Sequence, residues 1–268
     1  MGQLQDQVVL LTGASRGIGP LLAETLGRQW ATLALPARSA TGLEATAKRL
    51  QELGVEHSTL PADLALTSQR RQLVRAAYSR YGRVDVLINN AGLETEGAYT
   101  DLPWAHIAEN VEVNLLAPME LTHLVLPDML ARRTGQVINI ASIAAKSGAP
   151  YAATYSGAKA ALAEWTRALR RELRGTGVRF STIFPGYVRD IGMFAKFGMK
   201  PPLLVGSCVP AQVARAVVDA ATRGRPEALV NSMPLRYAFV LGDLSPSLGD
   251  WLLRVSGLVA FQRRKVGK

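Results

Sequence analysis

Short apolar runs alternate along the chain with longer segments whose apolar residues recur at helical spacing. The short runs predict β-strands at residues 8–12, 32–35, 57–60, 84–89, 136–141, 178–184 and 228–231. The longer segments predict helices at residues 21–30, 43–53, 68–81, 107–132, 155–174 and 211–223. This alternation implies right-handed βαβ crossovers and a parallel sheet covered by helices on both faces. We therefore expect one doubly wound α/β domain over residues 1–231, followed by an extension over residues 232–268.

A glycine-rich turn separates the first predicted strand from the first predicted helix. Its sequence, TGASRGIG at residues 12–19, places glycines where the backbone turns tightly and approaches a ligand closely. Amide groups at the start of the helix, supported by the helix dipole, would face a pyrophosphate. The residues expected to form this site are Gly13, Ser15, Arg16, Gly17, Ile18 and Gly19. The same turn fits a hydrolase nucleophile elbow around Ser15, but His123 is the last histidine, so no later histidine completes a triad.

Several polar residues further along suit proton transfer. Tyr155 and Lys159 are four residues apart, on one face of a predicted helix. A phenol has a pKa near ~10 in water, and a neighbouring cation favours its ionised form. Ser142, at the end of the fifth predicted strand, would donate a hydrogen bond to a substrate oxygen. Asn114 lies in a long predicted helix whose middle we expect to be distorted, and would hold a water that links Lys159 to solvent.

These motifs occur in the order and spacing of the short-chain dehydrogenase/reductase family, which the chain resembles over residues 5–231. The resemblance also rests on Asp63, Asn89-Asn90-Ala91-Gly92 and Pro185-Gly186. It implies a seven-stranded Rossmann-type fold, a homodimer or homotetramer, and hydride transfer between a nicotinamide and a carbonyl or alcohol.

The resemblance also assigns roles to individual residues. Tyr155 would be the general acid or base, Lys159 would bind the ribose and lower the Tyr155 pKa, and Ser142 would polarise the carbonyl. Asn114 would complete a proton relay. The further cofactor-binding residues would be Asp63 at the adenine edge, Leu64 behind the ring, Asn90, Ala91 and Gly92 at the central strand end, and Pro185, Gly186 and Val188 near the nicotinamide.

The end of the second predicted strand bears on the choice of cofactor. An acidic residue there would bind a free ribose 2′-hydroxyl and repel a phosphate. Ala37 occupies that position, Arg38 follows it, and Arg16 lies in the glycine turn. Two guanidinium groups without an acid predict NADP(H).

Three segments depart from the family pattern or vary within it. Asp190 stands where a threonine usually contacts the cofactor, so we expect the contact to come from the Val188 backbone. Residues 191–206 are rich in Met, Phe and Leu, which suits a cover over a lipophilic substrate. Residues 232–268 are apolar and end in Arg263-Arg264-Lys265. That pattern fits a helix on an anionic membrane surface, an oligomer contact or a flap over the substrate.

Composition limits the function classes. The 268 residues carry 31 Lys and Arg against 21 Asp and Glu, a net charge of +10 that attracts anionic ligands. Basic residues are not interleaved with aromatic ones, which argues against nucleic-acid binding. The histidines lack metal-ligand spacing, so no metal is expected. Cys208 is the only cysteine, and the chain does not open on a signal-peptide pattern, so a cytoplasmic location is expected, with membrane contact only at a surface.

The sequence thus predicts an NADPH-dependent reductase of a lipophilic ketone, aldehyde or 3-oxoacyl compound. One alternative is an alcohol or hydroxysteroid-type dehydrogenase that runs oxidatively. Another, of a different class, is a non-catalytic NADPH-binding sensor or interaction module.

Overall fold

The computed structural model describes residues 4–267, apart from the side chain of Lys196. Its centre is a parallel sheet of seven strands in the order β3-β2-β1-β4-β5-β6-β7. The strands are β1 Val8–Leu11, β2 Thr32–Ala37, β3 His57–Pro61, β4 Val86–Asn89, β5 Gly135–Ile140, β6 Val178–Pro185 and β7 Glu227–Val230. All seven predicted strands are confirmed, with ends displaced by two residues at most.

Helices cover both faces of the sheet. They are α1 Gly19–Gly27, α2 Ala40–Glu52, α3 Thr67–Tyr81, α4 Trp104–Val111, α5 Ala117–Ala131, α6 Ala144–Ser147, α7 Ala153–Glu172 and α8 Pro210–Arg223. Successive β1 side chains point to opposite faces, so Val9 and Leu11 pack with α1, α2 and α8 while Leu10 packs with α3 and α5. Burial on both faces explains why the strands are nearly continuous apolar runs.

The long helix predicted at 107–132 is interrupted at its middle. Residues Glu112–Leu116 form a π-helical turn between α4 and α5. This confirms the expected distortion around Asn114, and π turns of this kind occur often at functional sites.

Three further helices follow β7: α9 Arg236–Leu244, α10 Pro246–Val255 and α11 Leu258–Lys265. The last of them returns to the body of the protein, where Leu258 and Phe261 pack against Phe194 and Val205. Within the described residues, no helix has the length and apolar character needed to cross a bilayer.

The strand order reverses between β1 and β4, which are neighbours in the sheet although β2 and β3 lie between them in the chain. At such a switch point, the loops after the two strands diverge to opposite faces and leave a crevice. The glycine turn after β1 and the Asn90–Gly92 segment after β4 therefore meet at one edge of the sheet.

Candidate active site

A cleft of about 770 Å³ opens at the carboxyl edge of the sheet, above the switch point. Nearly all of the predicted site residues line it: Gly13, Ser15, Arg16, Gly17, Ile18, Arg38, Asp63, Leu64, Asn90, Ala91, Gly92, Ser142, Tyr155, Lys159, Pro185, Gly186 and Val188. Gly19 and Asn114 are not among the described lining residues, and both lie behind the surface of the cleft. Asp190 is also absent from that lining, whereas Val188 is present.

The glycine turn is shaped by its contact with the segment after β4. Gly13 has φ of +71°, and a Cβ there would lie 2.8 Å from Ala91 Cα. The Thr12 hydroxyl oxygen accepts hydrogen bonds from the Asn90 and Ala91 amides, each at 3.0 Å. A Cβ at Gly19 would lie 2.1 Å from the Gly13 carbonyl oxygen, so Gly19 allows the turn to close on itself. These contacts keep a space free of side chains at the start of α1, where a phosphate can approach the backbone.

The predicted cofactor-selecting residues lie at one end of the cleft. Arg38 follows β2 and is largely exposed; its Nη1 atom lies 3.5 Å from Glu109 Oε1. Asp63 follows β3, and its Oδ1 atom accepts a hydrogen bond of 3.0 Å from the Ala65 amide. Arg16 and Arg38 both line the cleft, and Ala37 between them adds no negative charge. This end of the cleft suits a phosphate group.

Tyr155 and Lys159 project from the first turns of α7 at the other end of the cleft. The Lys159 Nζ atom donates a hydrogen bond of 2.9 Å to the Ile140 carbonyl oxygen and lies 5.9 Å from the Tyr155 ring centroid. Ser142 follows β5, and its hydroxyl oxygen accepts a hydrogen bond of 3.2 Å from the Ala144 amide. The three side chains thus face one region of the cleft.

The proton affinities of these groups differ from the sequence-based expectation. Burial raises the pKa of Tyr155 above its usual value, and the negative charge of Glu94 raises it further; the Ser142 hydroxyl opposes them. Burial lowers the pKa of Lys159 to about 8. The expected lowering of the Tyr155 pKa by Lys159 is not found in the protein alone, where burial and the carboxylates of Glu94 and Glu96 raise that pKa and the Ser142 hydroxyl is the group that opposes them. A raised pKa keeps the phenol protonated at neutral pH, as a proton donor must be.

Asn114 is buried in the π turn, and both the nitrogen and the oxygen of its side-chain amide are hydrogen-bonded. Its Nδ2 atom donates to the Leu93 carbonyl oxygen at 2.7 Å, and its Oδ1 atom accepts from the Leu93 amide at 3.2 Å. A Cβ at Gly92 would lie 3.0 Å from Asn114 Oδ1 and 3.6 Å from Lys159 Nζ. The Asn114 side chain thus holds the segment after β4 beside Lys159.

The structure adds cleft residues that the sequence analysis missed, notably Glu94, Tyr187, Leu258 and Gln262. Glu94 follows the Asn89–Gly92 motif at the carboxyl end of β4, a position that could have identified it. Leu258 and Gln262 belong to α11, so the end of the tail forms part of the cleft. Lys265, the last residue of the basic run, has its side chain buried in ion pairs with Glu94 and Glu96, which places the end of α11 against the cleft as the expected flap over the substrate would lie.

Comparisons with known proteins agree with this geometry. The family model described as short chain dehydrogenase matches residues 7–200. A protein named Ketoacyl reductase HetN from Nostoc sp. (strain PCC 7120) is 40% identical over 270 residues, which cover 99% of this chain and 94% of that protein. A putative ketoacyl reductase from Streptomyces coelicolor is 39% identical over 190 residues, covering 70% of this chain and 73% of its own length.

Solved structures are similar in fold as well as in sequence. A variant of actinorhodin polyketide ketoreductase, crystallised with NADPH, matches with a TM-score of 0.79 and 32% identity, covering 88% of this chain and 98% of that chain. A metagenomic short-chain oxidoreductase in complex with NADP matches with a TM-score of 0.75 and 31% identity, covering 85% of this chain and 98% of that chain.

Proposed function

The chain belongs to the short-chain dehydrogenase family, and on that premise we propose that it is an NADPH-dependent reductase of a lipophilic ketone, aldehyde or 3-oxoacyl compound. The observation that carries the proposal is that Tyr155, Ser142 and Lys159 line the same cleft as the glycine turn and two arginines. The ketoacyl reductase names of the similar proteins favour reduction over oxidation.

The residues of the cleft fit an NADP cofactor. The bare backbone at Gly13 leaves room for the pyrophosphate at the start of α1, where amides and the helix dipole favour an anion. Arg16 and Arg38 would bind the 2′-phosphate, Asp63 would meet the adenine edge, and Lys159 would meet the ribose. When bound, the reduced nicotinamide supplies the hydride that reaches the carbonyl carbon.

The protein's own groups manage the oxygen and the proton. As the carbonyl carbon is reduced, negative charge develops on the carbonyl oxygen, and the Ser142 hydroxyl stabilises it by a hydrogen bond. Tyr155 donates its proton to that oxygen, which yields the alcohol and leaves a phenolate. The Lys159 ammonium then lowers the cost of that phenolate, and water reached through the Asn114 region returns the proton.

The first test measures NADPH and NADH consumption against aldehydes, ketones, β-keto thioesters and steroids. Tyr155→Phe is expected to lower kcat by about 10²–10⁴, the range of a lost general acid, while NADPH still binds. Tyr151→Phe is the matched control: its hydroxyl accepts a hydrogen bond of 3.2 Å from Arg263 Nε, so its loss should leave kcat within about threefold. Turnover retained by Tyr155→Phe contradicts the proposal. Tight NADPH binding without turnover across the panel favours the non-catalytic sensor, and faster alcohol oxidation with NAD favours the dehydrogenase.

We also propose that the outer face of α9 and α10 lies on an anionic membrane surface. Both helices are wholly described, and neither contains a buried residue. Several of their large apolar side chains face outward, with Leu244 78% and Trp251 52% exposed, whereas Leu253 packs inward. Helices this apolar are normally covered. Exposed Arg236 and Arg254 on them are balanced by exposed Asp243 and Asp250, so the attraction to anionic lipid comes from the net charge of +10 of the whole chain.

Flotation with vesicles tests this contact. Binding is expected to phosphatidylglycerol-containing vesicles and to weaken in salt or in neutral phosphatidylcholine. Trp251→Ser should weaken binding, whereas Trp104→Ser, at an exposed tryptophan in α4, should not. If vesicles do not bind and Trp251→Ser instead dissociates a dimer or tetramer in light scattering, this face is a contact between copies of the chain.

A further inference from the structure

The last helix of the chain inserts a lysine beside the catalytic end of the cleft. The Lys265 side chain is 0% exposed, and its Nζ atom lies 2.6 Å from Glu96 Oε1 and 3.2 Å from Glu94 Oε1. Nζ also lies 4.5 Å from the centroid of the Phe197 ring, with the Tyr187 and Phe194 rings within 6 Å. We call these two carboxylates and three rings the lysine cage. Both kinds of partner offset the cost of removing an ammonium from water.

The lysine cage connects two parts of the molecule that are distant in sequence. Lys265 ends α11, whereas Glu94 and Glu96 follow β4, on the segment that Asn114 holds at Leu93. Leu258, Gln262 and Lys265 are spaced four and three residues apart, so they share one face of α11. Leu258 and Gln262 on that face line the cleft. The ion pairs of Lys265 therefore join the tail to the catalytic side of the cleft.

We propose that Lys265 is a positioning residue that fastens α11 as a wall of the substrate cleft, so that the substrate is bound in a pocket completed by the chain's own C-terminal helix. Phe194, Val205 and Leu258 form one buried cluster and line the cleft, so they give the pocket beside this wall an apolar part. The substrate role rests on the proposed reductase function, whereas the attachment of α11 does not.

The charge balance of the lysine cage explains why the lysine matters. Two carboxylates face a single ammonium, and burial together with Glu94 raises the pKa of Glu96 to about 7. Without the ammonium, Glu94 and Glu96 would be buried next to each other with no cation. Their mutual repulsion and their loss of hydration would be relieved if α11 moved away and let water reach both carboxylates.

Hydrogen–deuterium exchange measures the attachment without any need for activity. In Lys265→Met, which keeps the aliphatic stem and removes the charge, amides of residues 258–265 should exchange roughly tenfold faster or more. Arg264→Met is the matched control, since its side chain is exposed on the same helix, and it should match the wild type. If Lys265→Met does not fold, the double variant Glu94→Gln/Glu96→Gln takes its place, since it removes both carboxylates and leaves the Lys265 ammonium buried without an anion. Unchanged exchange in the folded variant overturns the proposal.

Kinetics test the role of α11 as a substrate wall. In Lys265→Met, KM for a lipophilic ketone should rise about tenfold, with the Kd for NADPH within about twofold, because the wall contacts substrate and not the arginine end of the cleft. Faster exchange together with an unchanged KM would refute the role of α11 as a wall of the substrate cleft. A wild-type protein without turnover refutes the proposed function instead, and exchange still decides whether Lys265 holds α11.

Discussion

Replacing Arg38 by alanine is expected to weaken NADPH binding and to leave NADH binding nearly unchanged. A hydrogen bond to a charged group contributes about 1.5–3 kcal/mol. Arg38 is 58% exposed, so screening by solvent puts the contribution of its contact with the 2′-phosphate at the low end of that range. To make this contact, Arg38 gives up its 3.5 Å ion pair with Glu109, at a cost of about 0.2–1 kcal/mol. The difference, about 0.5–1.3 kcal/mol, corresponds to roughly a two- to ninefold increase in the NADPH Kd, at about 1.4 kcal/mol per factor of ten.

Fluorescence titration of both cofactors measures this ratio directly. Glu109→Gln provides the control, because it removes the group that competes for Arg38 and should tighten NADPH by up to about fivefold. An equal loss of NADPH and NADH affinity in Arg38→Ala would refute the assignment of Arg38 to the 2′-phosphate. It would leave Arg16 as the remaining candidate in the cleft.

Three further predictions concern stability and the glycine turn. Arg70 is 3% exposed, and its guanidinium lies 2.6 Å from Glu112 and 2.5 Å from Glu120. Arg70→Met should therefore lower the free energy of unfolding, measured in urea, by about 3–5 kcal/mol. A decrease of under about 1 kcal/mol would show that these ion pairs are dispensable. Gly13→Ala should abolish NADPH binding in titrations, since Cβ meets Ala91 at 2.8 Å; normal binding would show that the turn can shift. Folding raises the Glu96 pKa from 4.5 to about 7, so between pH 4.5 and about 7 the folded state binds more protons than the unfolded state. The urea concentration at the unfolding midpoint should therefore fall as the pH rises through that window, and it should fall less in Glu96→Gln.

The sheet and its helices could be predicted because their signals are local. Burial on both faces makes each parallel strand an apolar run, and burial of one face gives each helix its 3.6-residue period. All strand positions follow from these patterns, whereas the ends of α1 and α7 differ by two or three residues from the predicted ones. Helix ends depend on caps and neighbouring turns, which periodicity does not report.

The candidate site was predictable where its residues occur in short motifs. Tyr155 and Lys159 are one helical turn apart, and the glycines lie within one turn of the backbone, so spacing alone brings each group together. The switch point between β1 and β4 then joins these motifs in one cleft. The direction of the Tyr155 pKa shift was not predictable, because it depends on how deeply the fold buries the phenol and on Glu94, which is close to Tyr155 only in the folded protein.

The sequence by itself determined the order of strands and helices, the glycine turn and the positions of the candidate proton-transfer residues, since neighbours along the chain encode each of them. Only the tertiary structure decided what the tail does. Lys265 and Glu94 are 171 residues apart, and no spacing rule links such positions. The basic, apolar tail was compatible with a membrane-surface helix, an oligomer contact or a flap over the substrate. The fold buries the Lys265 ammonium in the lysine cage, because two carboxylates and three aromatic rings offset the cost of removing it from water.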